Sequence, residues 1–165
     1  MPHFKTQSII TADIYQAFNL ILDVENYHQF VPHCTKCKII SQTGTTISAE
    51  MSIRFGPIVA NYNSSIFYHK PAPTSPSPLS LSKSPNEPII AEVSITSYDP
   101  IFSHMESKWI LEQVNLVTKI KFQIRVEFQN SIYNKLLGLF FERECRKITA
   151  SFINRLNIAC KIPQY

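Results

Sequence analysis

Hydrophobic and polar residues alternate through the middle of the chain. In the clearest run, residues 119–128, every even-numbered residue is isoleucine, phenylalanine or valine and every odd-numbered residue is polar. A period of two places the apolar side chains on one face of a β-strand and the polar ones on the other. The pattern predicts seven strands, near residues 4–10, 35–42, 46–55, 58–69, 89–98, 106–114 and 117–128. Because no helical pattern separates the last six, we expect an antiparallel meander.

Helical spacing appears in three other segments. Apolar residues recur every three or four positions in residues 12–22, and Thr11 stands where a helix N-cap is expected. A second short helix is predicted at residues 25–30, ended by Pro32. The longest pattern runs from Ser131 to Lys161 as one apolar stripe. At about 1.5 Å per residue, this stretch predicts a helix roughly 45 Å long.

These elements predict a single α+β domain over residues 1–165 that contains a cavity. Seven strands about 4.8 Å apart form a sheet roughly 30 Å wide, whereas one helix is only about 10–12 Å across. The sheet must therefore curl around the long helix, and the two short helices close one side. The space inside suits an apolar ligand; the alternative is that the 11 phenylalanines and 7 tyrosines fill it as an ordinary core.

One segment breaks the strand pattern. Residues 71–88 hold six of the 11 prolines and five serines. Proline cannot donate to a β-ladder and such a composition has little to bury. We predict an extended loop inserted between two strands, with a partner-binding proline segment as the less favoured interpretation.

The same patterns predict which residues line the cavity. The inward faces of the strands supply Met51, Ile53, Phe55, Tyr62, Ser64, Ile66, Val93, Ile95, Phe122, Ile124 and Val126. The long helix adds Phe141, Ile148 and Phe152. Phe30, Val31 and Pro32 are expected at the mouth, because they end the short helix that closes the side.

Composition narrows the class of protein. The chain is 44% hydrophobic and 17% charged, which is typical of a globular domain. Only 3 glycines are present, and no phosphate-binding or dinucleotide motif occurs, so a nucleotide-dependent enzyme is disfavoured. No apolar run approaches the length of a membrane span. The first residues lack the pattern of a secretory signal or an Arg-rich mitochondrial leader. Because disulfides form mainly in exported proteins, we expect the 4 cysteines to be reduced thiols.

The positive charge lies near the C-terminus. Residues 119–165 carry nine basic and three acidic side chains, while residues 1–118 carry seven and nine. Within the long helix, residues 136–141 are apolar on every side and are flanked by cations. We predict docking on an anionic membrane through Leu136, Leu139, Phe140, Arg143, Arg146 and Lys147. A core helix with a solvated basic edge is the alternative.

A C-x-x-C sequence at Cys34 and Cys37 raises two chemical alternatives. A redox function favours a first cysteine at a helix N-terminus, but here the sequence leads into a predicted strand. With His28 and His33 the two cysteines offer four zinc ligands, but their spacing fits no common zinc finger. We therefore predict neither redox chemistry nor a metal site.

Signals for catalysis and nucleic-acid binding are weak. No nucleophile-elbow motif occurs, and Asp23 and Glu25 are better placed to flank the second short helix than to form an acid–base pair. Lys119, Lys121 and Arg125 share one strand face, but no aromatic residue lies among them to stack on bases.

Three stretches resemble a known family. Residues 23–34, DVENYHQFVPHC, are similar to the motif D-V-E-x-Y-x-x-F-[VL]-P-W-C, and residues 100–109, PIFSHMESKW, are similar to G-P-F-x-x-L-x-x-x-W. Residues 126–131 resemble the strand-to-helix junction of the same family, the coenzyme Q-binding proteins. They belong to the START-like helix-grip superfamily and are also described as polyketide cyclase/dehydrase-like. His33 departs from the family tryptophan, and residues 71–88 are an insertion.

The resemblance implies a helix-grip fold and a non-catalytic protein. Such a protein binds and carries or chaperones coenzyme Q (ubiquinone) or a similar polyisoprenoid lipid, supporting respiratory electron transport or quinone synthesis. No catalytic cofactor is implied. The implied location is the bacterial cytoplasm, with peripheral contact at the inner membrane; the mitochondrial matrix face applies only if a leader has been removed.

The same family leaves two alternatives open. Some bacterial members are described as ribosome-associated toxins, so binding to a ribosome or RNA is the runner-up function, followed by a cyclase-type enzyme. Within the predicted cavity, the hydroxyls of Tyr62 and Ser64 are candidates to donate to a quinone carbonyl. A backbone carbonyl or a buried water is the alternative partner, because an unsatisfied buried hydroxyl costs about 1–3 kcal/mol.

Overall fold

The computed structural model describes residues 2–74 and 86–161, with side chains up to residue 158. These residues contain seven strands: β1 (His3–Ile10), β2 (Cys34–Thr43), β3 (Thr46–Phe55), β4 (Ile58–Pro73), β5 (Ile89–Thr96), β6 (Phe102–Val114) and β7 (Val117–Phe128). The helices are α1 (Ile14–Leu22), a short 3₁₀ helix (Val24–Gln29) and α2 (Ser131–Lys161). The predicted α+β helix-grip architecture is confirmed.

The strands form one antiparallel sheet in the order β1-β7-β6-β5-β4-β3-β2. The first strand therefore pairs with the last, and the other neighbours follow the chain as a meander. Helix α2 packs on β1 and β7, while α1 packs on β4, β5 and β6. The two helices thus cover different parts of one concave sheet face, where the core residues are collected.

Helix α1 begins at Ile14, two residues later than predicted. Its N-cap is Asp13, whose carboxylate accepts a hydrogen bond from the Tyr15 backbone N–H at 2.7 Å. The Gln16 side chain accepts from the Asp13 N–H at 3.3 Å, which completes a reciprocal cap. The prediction of Thr11 as the cap was therefore wrong. Both residue types can cap a helix, and the Gln16 partner three residues on favours Asp13.

Strand β4 extends into the proline-rich segment. Ala72 and Pro73 pair with Ile90 and Ile89 of β5 after an irregularity in the register. The prediction of a loop from residue 71 was therefore wrong for its first three residues; residues 75–85 of that loop lie outside the described residues. Because the Thr74 N–H donates to the Pro88 carbonyl on the β5 side, the nitrogen of Pro73 faces the other way, where no donor is required.

Helix α2 presents the predicted apolar stripe to the sheet. Phe141, Cys145, Phe152 and Leu156 are buried, spaced by four or seven residues. Leu137 and Ile148 complete the stripe as partly buried members. Within the described ranges, no helix has both the length and the hydrophobicity that crossing a bilayer requires.

Candidate functional site

An open apolar cavity of about 210 Å³ lies between α2, the corner after the 3₁₀ helix and the concave sheet face. Most of the residues predicted from the alternation line it: Val31, Pro32, Met51, Ile53, Phe55, Tyr62, Ile95, Phe122, Ile124, Val126, Phe141, Ile148 and Phe152. The sequence thus predicted correctly which side chains of these strands face the concave side of the sheet. Whether these residues bind a ligand stays a prediction.

Four predicted lining residues lie elsewhere. Ser64, Ile66 and Val93 are buried, but they lie outside the cavity wall because α1 packs over β4 and β5 and fills that part of the sheet. Among the described residues, the Ser64 hydroxyl has no hydrogen-bond partner. Phe30 does not line the cavity either; its ring packs edge-on against Tyr27 and Phe152 at 6.0 and 5.2 Å.

Sequence reasoning missed several aromatic residues of the wall. Trp109 packs at 4.3 Å from Phe122 and at 4.8 Å from Phe152, between ring centroids. It pairs with Phe122 in the ladder, so the alternation in β6 could have placed it on the inner face. Phe102 was missed because β6 starts four residues earlier than predicted. The other missed lining residues are Tyr27, His33, Cys34, Cys37, Ile58, Met105, Ser107, Phe128, Leu137, Glu144 and Cys145.

The wall offers few polar groups to a ligand. The Tyr62 ring packs edge-on against Phe102 at 4.9 Å, and its hydroxyl makes no hydrogen bond within the described part of the chain. Burial, followed by the nearby Cys37 and Cys34 thiols, raises the pKa of Tyr62 above its usual value. The hydroxyl therefore stays protonated and can donate a hydrogen bond.

One charged cluster lies at the edge of the cavity. Glu144 of α2 accepts from His33 Nε2 at 2.7 Å, from Arg143 Nε at 2.9 Å and from Lys147 Nζ at 3.2 Å. The second ring nitrogen of His33 lies 3.2 Å from the Arg54 carbonyl oxygen. Carbonyl and carboxylate oxygens only accept, so a ring nitrogen that carries a hydrogen donates to the oxygen it faces.

The electrostatics of this cluster follow from its bonds. The hydrogen bond from His33 lowers the pKa of Glu144 to about 2, and Arg143 and Lys147 act in the same direction against the effect of burial. His33 adopts a left-handed backbone conformation, with φ of 67°, which is uncommon for residues other than glycine. The cluster joins the corner before β2 to α2 across the cavity edge.

Two thiols face the cavity from the start of β2. Cys34 Sγ and Cys37 Sγ lie 3.1 Å apart. Cys145, on α2, is a third thiol in the wall, and burial raises its pKa to about 12. His28 lies outside this group, since its ring hydrogen-bonds to the Glu25 carbonyl at 2.8 Å. Within the described residues, no cluster of three or more metal-ligating side chains is placed to hold an ion.

The predicted docking residues divide into two groups. Leu139 is 72% exposed and Phe140 39%, whereas Leu136 packs against the core. All three predicted cations are paired: Arg143 and Lys147 with Glu144, and Arg146 with Glu142 at 2.7 Å. Arg143 also lies over the Phe140 ring, 4.9 Å from its centroid. The surface is therefore less basic than its cations alone suggest, and Leu136 does not belong to it.

Comparison with known proteins identifies the family. Residues 10–153 match the model for polyketide cyclase/dehydrase and lipid transport proteins. The chain belongs to this family. The match covers strands β2 to β7 and most of α2 but only the last residue of β1, and the family predicted from the sequence is confirmed.

Two curated relatives carry different names. Coenzyme Q-binding protein COQ10 homolog B of Xenopus laevis is 23% identical over 154 residues, covering 90% of this chain and 55% of the relative. Ribosome association toxin RatA of Rickettsia prowazekii is 24% identical over 155 residues, covering 94% of this chain and 96% of the relative. The chain therefore spans about half of the frog protein's length and nearly all of the bacterial one's.

Solved structures agree on the fold. The Zhui aromatase/cyclase of Streptomyces sp. R1128 has a TM-score of 0.71 at 11% identity, covering 97% of this chain and 96% of that one. A STAR-related lipid transfer protein of Xanthomonas axonopodis has a TM-score of 0.70 at 12% identity, covering 94% and 85%. At these identities the likeness concerns the fold alone.

Proposed function

We propose that this protein binds coenzyme Q or a similar polyisoprenoid lipid in the cavity and carries it without chemical turnover. The observation that carries the proposal is the cavity itself, open at one side and lined almost wholly by aliphatic and aromatic side chains. Apolar pockets with a few placed polar groups are the usual form of small-molecule sites. The lipid transport family and the COQ10 relative support a lipid or quinone as ligand.

The size of the cavity limits which part of the ligand lies inside. An apolar cavity of about 150 Å³ is enough for benzene, and this one measures about 210 Å³. A substituted quinone ring with the first part of its tail fits that volume, and a long isoprenoid tail does not. We expect the ring inside, with the distal tail leaving through the open side near Val31 and Pro32.

Tyr62 supplies the polar contact in this arrangement. Its hydroxyl lies on an apolar wall and stays protonated, so it can donate to a quinone carbonyl oxygen. Ser64, the second candidate from the sequence, is outside the cavity and plays no part in the contact. A single donor fixes the orientation of the ring, while the aromatic wall residues supply most of the contact area.

The exposed apolar residues on α2 support peripheral contact with a membrane. Leu139 and Phe140 project beside the cavity edge, where Phe140 lies 6.5 Å from Phe55 of the wall, between ring centroids. A lipid that leaves through the mouth would then enter a bilayer directly. In a bacterium this membrane is the inner one, where isoprenoid quinones serve respiration.

Binding to a ribosome or RNA is the second candidate function. The RatA relative supports it, as does a groove of about 430 Å³ on the outer sheet face, lined in part by Lys5, Lys108 and Lys121. Lys108 is already paired with Glu92 at 2.8 Å. Because no aromatic side chain is exposed along this groove for base stacking, we favour the lipid-binding function.

Trp109 provides the test, since it is the only tryptophan of the chain and lies in the cavity wall. We expect decylubiquinone to quench its fluorescence with saturation, and organic extraction of the purified protein to yield an isoprenoid quinone by mass spectrometry. Ile124→Arg places a charge inside the cavity and should abolish quenching. Gln123→Arg places the same charge on the outer face of the same strand and should preserve it.

The outcomes separate the two functions. Saturable quenching that is lost only in Ile124→Arg supports carriage. Equal quenching in both variants would refute the cavity assignment. Cosedimentation with ribosomes that is lost steeply with added salt, without quinone binding, would favour the second function.

A further inference from the structure

The two cysteines of β2 share one face because the strand is irregular between them. Residues three apart in a regular strand point to opposite faces. Between Cys34 and Lys36 the register shifts against β3: Cys34 pairs with Ile53, and Lys36 with the adjacent Ser52. The extra residue of this bulge returns Cys37 to the side of Cys34. Their sulfur atoms therefore lie 3.1 Å apart, and both line the cavity.

The two thiols differ in character. The hydrogen bond between the two thiols, aided by the Lys36 backbone N–H and opposed by burial, lowers the pKa of Cys34. The same hydrogen bond, followed by burial, raises the pKa of Cys37. The lowered pKa favours the thiolate form of Cys34, and two sulfur atoms in contact are placed to form a disulfide on oxidation. Cys145 faces the same cavity without a second cysteine beside it among the described residues.

The surroundings restrict the oxidant that can reach these sulfur atoms from inside. Cys37 pairs with Met51 and Met51 with Tyr62, so thiol, thioether and phenol form one row across three strands. The other wall residues are mostly hydrocarbon. A charged oxidant such as glutathione disulfide is poorly suited to this space. A quinone is an apolar two-electron oxidant, and its carbonyl can accept from the Tyr62 hydroxyl.

We propose that Cys34 and Cys37 form a dithiol–disulfide couple that exchanges two electrons with a quinone bound in the cavity. The inference rests on the proposed function, because it requires a quinone as ligand. In the forward step, the two S–H bonds break and one S–S bond forms between the Sγ atoms. The two electrons reduce the quinone to the hydroquinone, whose two oxygen atoms take up the two protons. One chain exchanges one pair of electrons, in addition to carrying the ligand.

The test uses the reduced full-length protein and decylubiquinone without oxygen. This quinone is fully substituted on its ring, so a thiol cannot add to it. We expect one hydroquinone per chain, loss of two of the 4 thiols, and an intact mass lower by two hydrogen atoms. Peptide mapping should locate the disulfide between residues 34 and 37. Cys34→Ser and Cys37→Ser should each abolish hydroquinone formation, whereas Thr35→Ser, at an exposed residue between them that does not line the cavity, should leave it unchanged.

Trp109 quenching, measured in the same samples, separates this inference from the proposed function. Quenching without hydroquinone would overturn the redox inference and leave carriage intact. Neither quenching nor hydroquinone would overturn both. Oxidation of Ile124→Arg at the wild-type rate would also overturn it, because the cavity would then be irrelevant. Equal losses in Thr35→Ser and in the two cysteine variants would overturn it too, because the thiol pair would then be irrelevant. Retained quenching in Cys34→Ser and Cys37→Ser shows that those variants still fold and bind.

Discussion

Replacing Glu144 with glutamine keeps the size of the side chain but removes its negative charge from the edge of the cavity. The carboxylate side chain is 8% exposed and accepts hydrogen bonds from His33, Arg143 and Lys147. Two of them, Arg143 and Lys147, are 62% and 55% exposed, so losing their bonds costs at most about 1 kcal/mol each, and often nothing. The bond from His33, which is 31% exposed, should dominate the change.

A hydrogen bond to a charged, mostly buried group contributes about 1.5–3 kcal/mol. We therefore expect Glu144→Gln to lower the free energy of unfolding by about 2 kcal/mol at neutral pH, and the Tm by roughly 4–8 °C for a domain of this size. Glu142→Gln is the matched control. Glu142 is 69% exposed and pairs with Arg146 at 2.7 Å one turn along the same helix, so its replacement should change stability by no more than about 0.5 kcal/mol.

The difference between wild type and Glu144→Gln should depend on pH. The native pKa of Glu144 is about 2, below its usual 4.5, so its contribution is fully present above about 4.5 and is lost as pH falls towards 2. Urea unfolding followed by circular dichroism between pH 7 and pH 2.5 measures this. Equal effects in Glu142→Gln and Glu144→Gln, or a difference that does not shrink in acid, would refute the reasoning.

Three further predictions concern packing, the mouth and the membrane. Phe152 is 3% exposed, and its ring lies 4.8–5.2 Å from three aromatic rings, between centroids. Phe152→Ala should lower the free energy of unfolding by about 3–5 kcal/mol, measured in urea. A decrease below about 1 kcal/mol would contradict its place in the core. Val31→Ser should weaken decylubiquinone binding about 3–10-fold in Trp109 quenching, with the fold preserved, since roughly 1 kcal/mol of apolar contact is lost; full affinity would make the mouth merely structural. Leu139→Glu should reduce sedimentation of the protein with phosphatidylglycerol vesicles. Tyr98 is 90% exposed, and Tyr98→Glu is the control that should leave sedimentation unchanged. Equal losses in both variants would exclude a specific membrane-binding surface on α2.

The sheet was predictable from the sequence because burial of one face imposes a period of two on every strand. This period placed Phe122 and Val126 on the inner face, and equally Ile66 and Val93. It could not tell which of these border open space, because that depends on where α1 lies over the sheet. The boundary between filled core and cavity is therefore a property of helix packing, which the alternation does not record.

The polar chemistry of the cavity was harder to predict, for two physical reasons. His33 and Glu144 are 111 residues apart in the chain, and neither has a local pattern that points to the other. The pairing of Cys34 with Cys37 depends on a bulge, whereas a regular strand would separate them. The sequence interpretation disfavoured redox chemistry because the two cysteines lead into a strand and not into a helix N-terminus, and it did not consider a bulge between them.

The prolines at the end of β4 also bear on strand pairing between separate chains. Beyond Tyr68, which donates to the Thr45 carbonyl, the described part of β4 pairs with β5 alone. An unpaired strand edge is a template on which another chain can add a strand and begin to aggregate. At Pro73 the backbone nitrogen faces that edge without a hydrogen, and Pro71 also lacks a donor. A strand added from another chain could not form its hydrogen bonds there. Strand β4 can therefore extend beyond the end of its pairing with β3 without promoting strand pairing between chains.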